Sequence, residues 1–225
     1  MLLKISPDDL VNMNTYQDEY GYVVDLAYTQ DYPKSFCGIV YHPRAQLWLH
    51  KDVAEIMFLA AHRAREKEYI LVLYDGLRTK EAQALMGKTP LVQDNPSWLE
   101  GETRMISPPG KGAHPRGMAI DCSLMTLDGA LLDMGARFDQ MPDKGMGPGP
   151  ETNAAHRQTS LINDTHRTHR ALLDDCVLGA ARALGKPFIG IAQEWWDYRM
   201  PPEIYEQYEA LSDNDLRDDQ KMALI

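Results

Sequence analysis

An imidazole and a carboxylate stand seven residues apart in Lys111-Gly112-Ala113-His114-Pro115-Arg116-Gly117-Met118-Ala119-Ile120-Asp121, with glycines and a proline that exclude helix between them. Beyond Gly117 the residues Met118 to Met125 are mostly apolar and read as a buried strand. His114 is therefore expected on a loop entering the core, and Asp121 inside the core on a strand. A carboxylate at such a position needs hydrogen-bond donors or a metal. A second stretch, Gln193-Glu194-Trp195-Trp196-Asp197-Tyr198, sets another acidic pair in an apolar run. Two such segments in one small chain point to one site, and to a metal.

Hydrolysis at a metal needs about three protein ligands and an open position for a water that the metal acidifies. A neighbouring carboxylate then takes the water's proton and delivers it to the leaving amine. His114 and Asp121 are two candidate ligands. Glu194 and Asp197 are candidates for the base and the third ligand, in either order. On a regular strand residues three apart face opposite ways, so both reach one metal only if the chain bends or bulges there. Taken alone, a His and an Asp at this spacing are more often hydrogen-bonding partners than metal ligands. His156, His166 and His169 read as ordinary helix and loop histidines, and Trp195-Trp196 as core and the wall of a cleft.

The elements that must hold these groups follow from periodicity. Val53, Ile56, Met57, Ala60 and Ala64 recur at helical spacing and predict a helix over 52–67. Ile70 to Tyr74 is a buried strand ending at Asp75-Gly76, and Thr79 caps a short helix through Met86. Arg78, just past that strand end, is placed to hold an anion, to polarise a carbonyl, or simply to pair with a carboxylate. Residues 87–113, rich in Pro and Gly, predict a long loop, and loops of that length are often functional. Asp128-Gly129 predicts a turn and a return strand pairing with the strand of Asp121. Residues 142–150 predict a loop suited to lid a site. A helix is expected over 159–184 with Leu172, Cys176, Ala180 and Ala183 inward, ended by Gly185. Ile189 to Ala192 leads a last strand into Glu194, and the acidic tail beyond Ser212 reads as a solvated helix or frayed end.

Composition bounds the rest. The chain of 225 residues is 44% apolar and 25% charged, which is ordinary for a globular protein with a real core. With no internal repeat or low-complexity linker, residues 1–225 read as a single domain. A net charge of −10 argues against a nucleic-acid partner, and no run approaches the roughly 20 apolar residues of a membrane span. Cys37, Cys122 and Cys176 are odd in number and widely spaced, as free thiols would be. The start has no apolar leader core, so the expected compartment is the cytoplasm; a periplasmic form with its leader removed would read the same.

Gly-Ala-His-Pro-Arg-Gly-Met-Ala-Ile-Asp (112–121) resembles the Ser-x-His-x-x-Gly-x-Ala-x-Asp pattern of the zinc D-alanyl-D-alanine dipeptidases. That is the family of the vancomycin-resistance dipeptidase, related to D-Ala-D-Ala carboxypeptidases and the hedgehog fold. Tyr-Asp-Gly-Leu-Arg (74–78), Leu-Asp-Met-Gly-Ala-Arg-Phe-Asp (132–139) and Glu-Trp-Trp-Asp-Tyr (194–198) resemble its other blocks, in the same order. Val24-Asp25-Leu26 and Leu49-His50-Lys51 look similar too. The resemblance implies an α+β fold, a small antiparallel sheet with flanking helices and the metal in a cleft on the sheet. It implies a peptidoglycan-type substrate, a small D-amino-acid dipeptide, and one Zn2+ per chain. Carried over by position, His114 and Asp121 become zinc ligands, Glu194 the general base, Arg78 the oxyanion stabiliser and Asp139 the partner of the substrate's ammonium.

Two departures qualify this. The family has a histidine ligand where this chain has Asp197, and a second carboxylate implies weaker zinc binding or a harder divalent ion such as manganese. His156 or His169 is an alternative third ligand. Gly112 replaces a serine whose hydroxyl helps bind substrate. Three readings follow: a metal-dependent dipeptidase acting on D-Ala-D-Ala or a related small dipeptide, a stem-peptide carboxypeptidase or amidase, and a non-catalytic or altered-metal relative that binds such peptides.

Overall fold

The computed structural model describes residues 1–29, 37–100, 104–143 and 146–224. Its centre is a five-stranded sheet in the order β2-β4-β5-β7-β6, made of Val23–Val24 (β2), Tyr69–Asp75 (β4), Ala119–Thr126 (β5), Ile189–Gly190 (β6) and Asp197–Arg199 (β7). The β4-β5, β5-β7 and β7-β6 pairs are antiparallel and β2 joins β4 in parallel, so the sheet is mixed where an antiparallel one was expected. A second ladder pairs Leu10–Asn12 (β1) with Trp48–His50 (β3).

Helices flank the sheet. The long ones are Lys51–Glu66 (α2) and Asp164–Ala183 (α5); Gln17–Tyr20 (α1), Lys80–Met86 (α3), Pro90–Gln93 (α4) and Pro202–Tyr205 (α6) are short. The fold is thus α+β. In α2 the expected stripe Val53, Ile56, Met57, Ala60 and Ala64 is buried, and it packs on α5, β4 and β5. Each large apolar side chain closed off there, such as Leu71 or Leu73 in β4, contributes about 2 kcal/mol of burial. Thr79 caps α3 as its hydroxyl accepts from the Ala82 amide.

Four elements differ from expectation. Helix α5 begins at Asp164, where Asn163 accepts from the His166 amide; Cys176 and Ala180 face inward as expected, but Leu173 and Val177 join them in place of Leu172 and Ala183. The Asp128-Gly129 turn forms, but the return contributes only a bridge from Leu131 to Met125, because β7 already pairs with that edge of β5 farther along. Two short helical segments, Pro90–Gln93 and Pro96–Trp98, break the long loop. The tail is tied down rather than frayed: the buried Asp213 carboxylate accepts from the Met222 and Ala223 amides. Residues 101–103 and 144–145 of the two expected loops lie outside the described residues.

The three cysteines are buried thiols rather than disulfide partners. No helix among the described residues is long and apolar enough to cross a membrane.

Candidate functional site

Register puts three carboxylates in one row across the sheet. Asp121 in β5 lies opposite Asp75 in β4 and opposite Asp197 in β7. Residues facing each other across adjacent strands project to the same side, so the row Asp75-Asp121-Asp197 shares a face. A register shift in β4 between Leu73 and Asp75 brings the strand's last residue into this line. All three are buried, at 0%, 2% and 1% exposure.

Each end of the row carries its own cation. Arg78 donates to Asp75 Oδ2 through Nε at 2.9 Å and Nη2 at 2.5 Å, and the Tyr41 hydroxyl donates to Oδ1 at 2.6 Å. Arg199 stands two residues after Asp197 on β7 and therefore on the same face. Its Nε donates to Asp197 Oδ1 at 2.8 Å, and its Nη2 donates to Oδ2. The middle carboxylate has no guanidinium hydrogen-bonded to it: Arg78 Nη2 is 3.8 Å from Asp121 Oδ2, and Oδ1 is a buried acceptor without a hydrogen bond.

His114 faces that middle position. It lies in the short turn His114–Arg116, and Gly117 closes the turn at φ +62. A Cβ on Gly117 would stand 2.9 Å from the His50 amide nitrogen, so only glycine lets the turn seat against β3. The His114 Nδ1 donates to the Gly76 carbonyl at 2.8 Å. That leaves Nε2 pointing at Asp121 Oδ1, 3.6 Å away, and Asp197 Oδ2, 3.4 Å away. Burial and Arg78 both oppose a charge on this ring, but Asp121 and Asp197 outweigh them and hold its pKa up at about 10. Burial raises the Asp121 carboxyl. Asp197 is buried as well, yet Arg199 and His114 hold it well below the usual carboxylate range.

This donor set suits a divalent cation. An imidazole whose other nitrogen is fixed by a carbonyl is the common arrangement of a metal ligand, and Asp121 Oδ1 is an acceptor waiting for a positive charge. Asp75, His114 and Asp121 also offer ligand atoms within 4.8 Å of one another. Asp75 Oδ2 already accepts two hydrogen bonds from Arg78, however, and His114 Nδ1, the ring nitrogen nearest it, is bound to Gly76, whereas each oxygen of Asp197 accepts one bond from Arg199. His114 Nε2 instead faces Asp121 and Asp197, so His114, Asp121 and Asp197 form a second set of residues that could hold the ion.

Glu194 joins the site from the turn between β6 and β7 and lines the same cavity. Because it lies off the strand, it and Asp197 need not face opposite ways. Arg157 clamps that turn by donating to the carbonyls of Ile191, Trp195 and Asp197 at 2.9, 2.8 and 3.2 Å, with Asp174 as its counter-ion. Desolvation, with Asp197 and Asp121 nearby, pushes Glu194 up to about 8. Asp139 sits at φ +60, a backbone strain typical of functional positions, and accepts from the buried Tyr28 hydroxyl at 2.8 Å. Burial lifts it to about 8 against that hydrogen bond.

The cavity measures about 240 Å³ and also holds Arg78, Asp139 and Trp196 on its walls. It lies just below the roughly 300–1,000 Å³ of drug-sized sites, which suits a small ligand. Gly112 borders it at φ +84, where a side chain would be strained; the place its Cβ would take is 3.4 Å from Ser107 Oγ and 3.9 Å from Arg199 Nη1. His156 and His169 point elsewhere, His156 accepting from the Gln158 amide and His169 meeting the Asp133 carbonyl.

The structure thus gathers His114, Asp121, Asp197, Glu194, Arg78 and Asp139 around one cavity. Asp75, Tyr28, Tyr41 and Arg199 are the partners that sequence reasoning missed. Of these only Arg199 left a local signal, its two-residue spacing from Asp197 on a strand.

The chain belongs to the D-ala-D-ala dipeptidase family of peptidases, whose family model matches residues 18–212. It is 30% identical over 165 residues to the D-alanyl-D-alanine dipeptidase of Escherichia coli (strain K12), covering 73% of this chain and 72% of that protein. It is 29% identical over 164 residues to the D-alanyl-D-alanine dipeptidase of Enterococcus faecium, covering 68% of this chain and 73% of the relative.

Proposed function

We propose that this chain is a metal-dependent dipeptidase that hydrolyses D-Ala-D-Ala or a closely related small dipeptide. The observation that carries the reading is the unpartnered Asp121 Oδ1 facing the free Nε2 of His114 at 3.6 Å. His114, Asp121 and Asp197 would hold one divalent ion, zinc in the first place. Once bound, that ion supplies an acidified water and polarises the scissile carbonyl.

The remaining roles belong to the protein's own groups. Glu194 takes a proton from the attacking water and passes it to the leaving amine. Its elevated pKa keeps it ready to hold that proton, while a dication beside it would favour the ionised form before attack. Arg78, aimed by two hydrogen bonds to Asp75, stabilises the developing oxyanion. Asp139, positioned by Tyr28, receives the free ammonium of the substrate, which would draw its pKa down on binding.

The test is release of D-alanine from D-Ala-D-Ala and from its N-acetylated form, with zinc or manganese added. Hydrolysis of the free dipeptide alone supports the proposal. Equal hydrolysis of both would favour a stem-peptide carboxypeptidase. No turnover of either with any divalent ion would refute it. The Arg199 grip on Asp197 favours a second reading in that case, an altered-metal relative that binds small peptides without turnover.

A further inference from the structure

The charges along the carboxylate row do not balance around a plain two-carboxylate, one-imidazole ligand set. Asp75 is hydrogen-bonded to Arg78 and Asp197 to Arg199, while Asp121 between them has no guanidinium of its own: Arg78 Nη2 is 3.8 Å from its Oδ2, and its Oδ1 has no hydrogen bond. Arg199 is largely buried, with its side chain 16% exposed, and its bidentate hold on Asp197 uses one acceptor position on each oxygen. A carboxylate has roughly four such positions, so Asp197 Oδ2 can still face His114 Nε2, 3.4 Å away.

We infer that Arg199 and the metal share Asp197, so that the Asp197–Arg199 pair acts as one net-neutral ligand with the guanidinium setting how strongly the site holds its cation. This rests on the metal-site reading above. Arg199 is a positioning residue in this scheme. It orients Asp197 through two hydrogen bonds, and its positive charge cancels the carboxylate's at the distance of the metal. The pair then presents the ion with the net charge of a neutral side chain, and Asp121, with Arg78 Nη2 3.8 Å away, remains the ligand carboxylate that no guanidinium hydrogen-bonds. The weaker zinc binding expected from a second carboxylate therefore has a different cause: the nearby guanidinium repels the ion, and the carboxylate itself attracts it.

The prediction is directional. Removing the guanidinium leaves the dication facing a full extra negative charge, so affinity rises. Removing the carboxylate leaves a buried guanidinium aimed at the ion, so affinity collapses. The two changes together restore neutrality and cancel much of the loss.

The experiment measures zinc dissociation constants of the metal-free full-length protein by competition with a chromophoric chelator. Wild type is compared with Arg199→Gln, Arg199→Lys, Asp197→Asn and the double variant Asp197→Asn/Arg199→Gln. Arg199→Gln is expected to bind zinc about tenfold tighter, and Arg199→Lys, which keeps the charge, within about threefold of wild type. Asp197→Asn should bind about a hundredfold weaker, with the double variant regaining about tenfold of that. Circular dichroism and melting temperature establish that each variant is folded.

A folded Arg199→Gln that binds zinc no tighter than wild type would overturn the inference, as would Arg199→Lys behaving like Arg199→Gln. Absence of zinc or manganese binding in every form would overturn both this inference and the metal site. The expected affinities without any dipeptide hydrolysis would support the inference while removing the proposed activity.

Discussion

Replacing Asp75 by Asn is the most informative perturbation outside the ligands. The change keeps the shape of the side chain, so no cavity opens and the effect is electrostatic. Asp75 is fully buried and accepts three hydrogen bonds, one from Tyr41 and two from Arg78. An amide can satisfy only part of that set, and turning its NH2 toward either partner sets donor against donor. Removing one member of a buried ion pair commonly costs about 3–5 kcal/mol. Here Asp121 Oδ2 stands 3.8 Å from Arg78 Nη2 and offers a substitute carboxylate, so the loss should lie nearer 2–3 kcal/mol. That rescue draws Arg78 toward Asp121, a candidate metal ligand, and away from the position proposed for stabilising the oxyanion. We expect Asp75→Asn to lower stability by about 2–3 kcal/mol in urea unfolding of the metal-free protein, and to lower kcat/KM about a hundredfold. A variant with unchanged stability and full kcat/KM would refute the view that Asp75 anchors Arg78.

Other predictions address the pocket and the protonation states. In the metal-free protein Glu194 and Asp139 have folded pKa values of about 8, above their unfolded values, and His114 one of about 10. Protons are then bound more tightly in the folded state, so stability falls as pH rises, through about 8 for the two carboxyls and between about 6.5 and 10 for His114. Melting temperature without metal should accordingly drop from pH 6 to pH 9 (roughly, over the window those shifts define), and Glu194→Gln should flatten the lower part; a rise over the same window would contradict the assignment. Asp139→Asn should raise KM for the free dipeptide about tenfold or more with a smaller change in kcat, measured by D-alanine release; an unchanged KM would remove its ammonium role. Gly117→Ala, at φ +62 with its Cβ 2.9 Å from the His50 amide nitrogen, should cost about 1–3 kcal/mol in urea unfolding. A neutral result there would mean the turn carrying His114 has room to shift.

What the sequence made legible was local. His114 and Asp121 stood out because glycine and proline exclude helix around the first and an apolar strand carries the second inward. Helix α2 and strand β4 were legible because their apolar spacing is long and regular. Which strands are neighbours is not a local property, so the row of three carboxylates, with Asp75 as its first member, emerges only from the β4-β5-β7 register. Tyr41 and Tyr28 reach Asp75 and Asp139 from 34 and 111 residues away and left no signal in spacing. On α5 Cys176 and Ala180 were legible, but Leu172 and Leu173 are adjacent and equally apolar, and packing against α2 decides between them. The acidic tail looked solvated by composition, yet one buried carboxylate, Asp213, collects two amides and holds it to the body.

The central claim is that one divalent ion at His114, Asp121 and Asp197 drives dipeptide hydrolysis with Glu194 as the base. The most direct test titrates zinc into chelator-treated protein while following both bound metal and D-alanine released from D-Ala-D-Ala, beside a Glu194→Ala control. Activity should rise in step with binding, saturate at one ion per chain, and be absent in a control that still binds the ion. Activity that survives complete metal removal, or that persists in Glu194→Ala, would contradict it.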